Sequence, residues 1–251
     1  TQQIDSRSAK MTNKNKIQEW IDDYGEDSDF VRVRVRGLFP KAGGTTFIGR
    51  EAVNNCVALS DGNYTTMAKT LTVDVARFGD DQSVISRKQG RKVWPFKKYR
   101  GLSTTDLASY VAEEIDEFKP DAVFIDGGGV GGGVFDRLRQ LGYEVIEVQF
   151  GAAAKDHGKY ANKRAEIYGL ARESIHSGLD LPEDVELVEG LCAIEYKFDP
   201  KQRLLLEKKE EMKKRGLASP DEADALVMHW AQPVYAAARE SHSETYIDYD
   251  Y

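Results

Sequence analysis

Leu71-Thr72-Val73-Asp74-Val75 and Ala122-Val123-Phe124-Ile125-Asp126 are the two stretches whose reading decides the fold. Each is an apolar run of strand length that carries one aspartate. A carboxylate there is costly unless it is paired or bound to a cation. Downstream of the first, Ser83 to Ser86 and Lys92 to Tyr99 read as two more strands joined through Gln89-Gly90, which makes an antiparallel meander. Thr105 to Phe118 puts Leu107, Val111, Ile115 and Phe118 at helical spacing and stops at Pro120. Residues 122–125 are apolar throughout, as suits a strand covered on both faces. A helix over 131–141, a strand over 143–148 and a helix over 161–176 follow, then a hairpin across 194–206 turning at Asp199-Pro200. The last helix is predicted from Pro220 to Ala236, with Ser219 as N-cap, a first-turn proline and Glu222 as capping-box acid. The fold class is α/β: a mixed sheet, three antiparallel strands plus parallel ones, flanked by helices.

Upstream, residues 1–29 are polar and read as a linker or tail from a missing module, with a helix-compatible stretch near Ile17 to Tyr24. Val31, Val33 and Val35 alternate with Arg32, Arg34 and Arg36, the period of a strand with one buried face. Residues 30–236 form the expected domain, with a helical segment near Arg50 to Leu59, and 237–251 an acidic, tyrosine-bearing, mobile tail. The chain begins at Thr1, which suggests a piece of something longer; processing is the alternative. With 251 residues, 41% of them hydrophobic, it can bury a sizeable core. Two distant cysteines and four scattered histidines make no zinc pattern, so a reduced, cytosolic protein is expected. No apolar run is long enough to span a bilayer.

The net charge of -7 argues against holding nucleic acid by overall charge. Its distribution matters more. Between Gln82 and Thr105 there is no acid, while Arg87, Lys88, Arg91, Lys92, Lys97, Lys98 and Arg100 fall there, a candidate phosphate-contacting surface or a solvated face. The cluster Lys208, Lys209, Lys213, Lys214 and Arg215 is diluted by Glu207, Glu210 and Glu211 and reads as a solvated face.

A third carboxylate comes from the last helix. Ala223, Leu226, Val227 and Trp230 form its apolar stripe, and Asp224 lies about 60° from Val227, half-buried at the stripe's edge. Asp221 is open between a ligand role and a favourable charge at the positive end of the helix. Three carboxylates from two strands and a helix cannot stay ionised together unless cations neutralise them. Mg²⁺ or Mn²⁺, as a pair, would do so and would serve phosphodiester hydrolysis. Taken singly, each acid is equally explained by an ion pair or a turn. Gly127, Gly129 and Gly132 match a dinucleotide-binding fingerprint with Glu147 downstream, but Asp126 stands where a pyrophosphate would bind. The glycines read instead as a tight turn beside a metal or a DNA phosphate at a helix N-terminus.

These motifs resemble the nuclease domain of tailed-phage terminase large subunits over most of residues 30–236. The likeness rests on Val73 through Asp81, on Phe124-Ile125-Asp126-Gly127 with Gly131 to Leu138 behind it, on Asn162-Lys163-Arg164-Ala165-Glu166, and on Ser219 through Leu226. Phe30 to Pro40 looks like the strand after that family's interdomain linker. The resemblance implies a ribonuclease H-like fold, two bound Mg²⁺ or Mn²⁺ ions held by Asp74, Asp126 and Asp224 with Asp221 assisting, and endonucleolytic cutting of concatemeric double-stranded DNA. It also implies the portal, the small terminase subunit and an upstream ATPase domain as partners, in the cytoplasm of an infected bacterium and outside the mature virion. By its position the tail after Arg239 would touch the portal. No G-x-x-x-x-G-K-[ST] occurs in the chain, so the ATP-driven motor would lie elsewhere. Two rival readings are another ribonuclease H-like enzyme, of resolvase or transposase type, and a nucleotide-binding protein using the loop 127–133. A non-catalytic clamp of the same fold is a third.

Overall fold

The computed structural model describes residues 5–24, 26, 29–38, 46–59, 62–76 and 81–237. The chain starts with helices α1 (Lys14–Tyr24), α2 (Asp29–Arg34) and α3 (Arg50–Asn54). Strands β1 (Lys69–Asp74), β2 (Ser83–Gln89), β3 (Lys92–Val93) and β4 (Lys97–Tyr99) then lead to α4 (Thr104–Phe118). After β5 (Ala122–Asp126), α5 (Gly131–Gln140), β6 (Ile146–Val148) and α6 (Lys163–His176), the chain adds α7 (Val185–Ala193) and the hairpin β7 (Tyr196–Phe198) and β8 (Leu204–Leu206). It ends with α8 (Lys209–Lys214), α9 (Asp221–Val227) and a 3-10 turn, Met228–Trp230.

β1 pairs antiparallel with β2 and parallel with β5, and β5 pairs parallel with β6. β3 and β4 both add to β2, giving the order β3-β2-β1-β5-β6 with β4 beside β2. The expected second outer strand is thus two pieces, separated at Pro95, which cannot donate to a ladder. Alternation along β1 sorts its residues between two cores. Leu71 and Val73 join Ile85, Val123 and Ile125 under Leu107, Val111, Val134 and Leu138 of α4 and α5. Thr70, Thr72 and Asp74 face the opposite way, where α6, α7 and α9 close the larger core around Phe124, Tyr168, Leu191 and Leu226.

α9 lies along the middle of the sheet because the polar face of β1 is made to receive it. The Thr72 hydroxyl donates to the Ala225 carbonyl at 2.6 Å, and the ring nitrogens of His229 lie 2.8 Å from Thr70 Oγ1 and 2.9 Å from Ser86 Oγ. These bonds satisfy polar atoms that would otherwise be orphaned in a core.

The first helices correct one sequence expectation. Residues 31–35 are helix and turn rather than strand: Val31 and Val35, four apart and fully buried, pack one face onto Ile17, Trp20 and Ile21 of α1. A four-residue spacing satisfies a period of two and a period of 3.6 alike, so the valines could not decide. The predicted long last helix is also shorter, ending in the 3-10 turn just before Gln232-Pro233. Its Ser219 does not cap it; Pro220 holds that position without a side-chain bond, and the Ser219 hydroxyl instead donates to Asp81. The segment 39–45, residues 77–80 of the first motif and the tail from 238 lie outside the described residues.

Candidate active site

Asp74 and Asp126 are the last residues of adjacent parallel strands, and the register that sets Val73 beside Ile125 sets the two acids beside each other. Ligand sites of open α/β sheets form at such carboxyl ends. Asp221 and Asp224 come down onto the same point from the first turn of α9. Three of the four stand around one cation, the Lys209 ammonium at the start of α8, which is 2.8 Å from Asp224 Oδ2 and 3.8 Å from both Asp74 Oδ2 and Asp221 Oδ1, while Asp126 stands beside Asp74.

The acids differ in how their charge is met. Asp224 is fully buried, where the sequence placed it at a half-buried edge; the reason is that α9 is covered on every side, not on a stripe. Burial alone would raise its pKa, but Lys209, Arg164 and a hydrogen bond from Tyr168 overcome this and hold it at about 2. Tyr168 Oη donates to Asp224 Oδ1 at 2.7 Å, and Arg164 reaches the same oxygen at 3.3 Å while donating to the Glu207 carbonyl at 2.8 Å. Oδ2 faces Lys209 at short range but without regular hydrogen-bond geometry, so it is a buried oxygen held by charge alone. Asp74 is pushed well above the ordinary carboxylate range, by burial first, with Lys209 opposing and the other three acids adding. Asp126 is raised by burial against the pull of the Gly128 N–H, which donates to its Oδ1 at 3.0 Å. Asp221 is raised by burial too, although the Gln82 N–H donates to its Oδ2 at 3.0 Å. A group of neighbouring buried acids with divergent protonation at strand ends is the pattern of a functional site.

The glycine loop serves Asp126. A Cβ on Gly131 would stand 1.7 Å from the Asp126 carbonyl oxygen, and Gly129 has φ +57, so neither position accepts a side chain without strain. That turn lets the Gly128 N–H fold back onto the carboxylate, where a dinucleotide site would leave the loop for a pyrophosphate.

Among the described residues, no three His, Cys, Asp or Glu side chains are gathered so that they could hold a metal ion as they stand. The acids are spaced around an ammonium instead. Their chemistry still fits a hard divalent cation: all-oxygen donors and one buried carboxylate oxygen facing the centre.

The acid-free run divides between the two ends of β2. Lys97, Lys98 and Arg100 lie at the Asp74 end, since β4 pairs Ser83 to Ile85; Lys88, Arg91 and Lys92 lie at the far end. Most are engaged. Arg87 and Lys97 bind Glu114 and Glu117, Lys92 binds Asp180, and Lys98 holds Asp184, Glu186 and Glu222 within 2.9 Å. Exposed Arg100 has a long contact to Gln82 at 3.5 Å. The sequence reading missed Lys209, Arg164 and Tyr168. Lys209 belongs to a basic cluster whose pattern is that of a solvated face, and only the fold reveals that it faces Asp224.

Strand order, helices on both faces and an acidic centre at the ends of β1 and β5 define a ribonuclease H-like domain. No protein-family profile matches the sequence. The chain is similar to the probable terminase large subunit of Enterobacteria phage P7, 26% identical over 239 residues that make up 88% of this chain and 48% of that relative. It therefore spans about half the length of the curated relative it matches. In fold it is similar to a variant nuclease domain of the large terminase subunit gp2 of bacterial virus Sf6, solved with manganese and beta-thujaplicinol, at TM-score 0.66 and 20% identity over 75% of this chain and all of that one. The large terminase nuclease from thermophilic phage G20c with bound magnesium matches at TM-score 0.54 and 13% identity, over 72% of this chain and 95% of that one. The resemblance carried by the motifs is thus present along the sequence and in the fold.

Proposed function

We propose that this chain is a divalent-cation-dependent endonuclease domain that hydrolyses phosphodiester bonds of double-stranded DNA within a viral packaging terminase. The observation that carries the reading is the convergence of Asp74, Asp126, Asp221 and Asp224 on one point at the carboxyl ends of β1 and β5. The similar domains of Sf6 and G20c were solved with manganese and magnesium respectively, which supports the same cation class here.

Asp74, Asp126 and Asp224 would hold the cation pair, with Asp221 at its edge, supplying an activated water and charge stabilisation at the leaving oxygen. The chain's own part is preorganisation. Tyr168 and Arg164 fix Asp224 Oδ1 and leave Oδ2 facing inward; the Gly128 N–H fixes Asp126; Gln82 fixes Asp221. Lys209 holds Asp74, Asp221 and Asp224 together and would give up its place to entering cations. Of the basic run, Arg100 is the residue we place on the DNA path, because it is exposed at the Asp74 end and meets no carboxylate among the described residues. Concatemeric DNA as substrate, the portal, the small subunit and an ATPase domain as partners, and host cytoplasm as location follow from the same reading.

The test is plasmid cleavage with Mg²⁺ or Mn²⁺, comparing the unaltered chain with Asp126→Asn. Cleavage is expected to disappear in the variant while its circular dichroism is unchanged; a variant that cuts as well as the parent overturns the proposal.

A further inference from the structure

At the far end of the sheet, Lys88 and Arg91 meet no carboxylate among the described residues. Lys88 pairs across β1 with Thr70, four residues from Asp74, which sets it about 13 Å along the strand from the acids. Its ammonium lies 5.0 Å above the Trp230 ring, and burial holds its pKa down to about 8 with no acid offsetting the cost. Exposed Arg91, in the turn after β2, lines a cavity of about 340 Å³ together with Lys88 and Trp230. Neither residue has a carboxylate partner among the described residues, whereas their neighbours Arg87 and Lys92 are both paired. Lys88 is thus a cation held against the sheet with no acid to offset the cost, and exposed Arg91 stands beside it.

The cavity walls indicate what would neutralise them. Ser174 on the last turn of α6 adds a hydroxyl, the Ser177 hydroxyl just after it donates to the Glu173 carbonyl at 2.9 Å, and Leu170, Leu179 and Trp230 add an apolar wall. The acid on the rim, Glu173, is met by Lys159 at 3.5 Å. Two cations over hydroxyls and an aromatic face match a phosphate group with a planar attachment. We propose that the cavity between Lys88, Arg91, Ser174 and Trp230 is a phosphate-binding site, distinct from the acid cluster, that takes phosphate either free or on a mononucleotide.

Because the site stands at the opposite end of α9 from Asp221, its ligand need not be the DNA strand being cut. Filling it would relieve the charge on Lys88 and tie the end of α9, through Trp230, to the β2–β3 turn.

Calorimetric titration of the full chain with inorganic phosphate and with a mononucleotide tests this. Binding is expected, and Lys88→Met and Arg91→Ala should each weaken it about tenfold or more. Lys88→Met removes a buried unpaired charge, so its Tm should equal or exceed the parent's, which shows that lost binding is not lost folding. Absence of binding at millimolar phosphate, or equal binding by the variants, overturns the proposal. So does a result in which only duplex DNA binds and both substitutions weaken it, since that would make the cavity part of a nucleic-acid path. Cleavage by Asp126→Asn does not bear on this outcome, so the two proposals fail separately.

Discussion

The two ends of α9 rest on the same sheet and are both polar, yet they are built on opposite principles. At the carboxyl end of β1, burial first and nearby acids second hold Asp74, Asp126 and Asp221 protonation-prone, and one ammonium is shared among Asp74, Asp221 and Asp224. At the amino end, His229 is equally buried, but each ring nitrogen meets a hydroxyl, and burial with the nearby Lys88 charge keeps the ring neutral. The second network is complete in itself and positions α9. The first leaves buried acids with more negative charge than one ammonium offsets, and on the proposed reading it is this imbalance that a further cation would meet.

The most drastic way to break that contrast is Asp74→Asn. Cleavage is expected to fall by about three orders of magnitude or more, the scale of losing a cation that supplies several kcal/mol of charge stabilisation. Stability in the absence of metal should hold or rise, because one of four repelling acids has gone. A plasmid assay paired with thermal unfolding checks both; a variant that cuts normally but unfolds early would make Asp74 part of the scaffold.

Lys209→Met attacks the same end from the other side. Without the ammonium the acids face each other unscreened, and the metal-free chain should lose about 2 kcal/mol, below the figure for a fully buried pair because Lys209 is a third exposed. Added Mn²⁺ should then raise the variant's Tm by more than the parent's. Equal metal-induced shifts would show that the ammonium and the cations do not share a place.

For the amino end the prediction is a pH dependence. The unfolded imidazole takes up a proton near pH 6.5, whereas the folded one, held well below by burial, does not. Stability from this group is therefore full above about pH 6.5 and declines at up to about 1.4 kcal/mol per pH unit as pH falls toward the folded pKa. The raised aspartates contribute with the opposite sign, so the comparison is with His229→Gln, whose stability should fall less steeply below pH 6.5. Parallel slopes would show that His229 charges inside the fold.

How much of this was legible depended on whether a signal was local. Asp74 and Asp126 announced themselves because an acid inside an apolar strand is anomalous in its own neighbourhood, and the meander, α4 and β5 followed from simple periods. Lys209 reads as one of five basic residues on a solvated face; its role depends on its ammonium meeting both Asp224 and Asp74, the second of which is far away in the chain. Tyr168 and Arg164 sit on α6 about 60 residues before Asp224 and carry no anomaly of their own. Val31 and Val35 fit two periods at once, and packing against α1 chose between them.

The smallest effect tests the one place where local grammar was complete and still failed. Ser219-Pro220-Asp221-Glu222 has every element of a helix start, yet the Ser219 hydroxyl is 2.8 Å from Asp81 Oδ1, and Glu222 turns to Lys98 and Gln82. The reason is that this first turn is wholly buried: Asp221, Glu222 and Asp224 are each drawn to partners in the site, and none is left to close a capping box. Ser219→Ala should therefore cost less than about 0.5 kcal/mol, the loss of one partly exposed bond, where loss of an N-cap costs about 1 kcal/mol or more. Chemical denaturation separates the two values, and a loss at the higher one would return Ser219 to the cap and take it from Asp81.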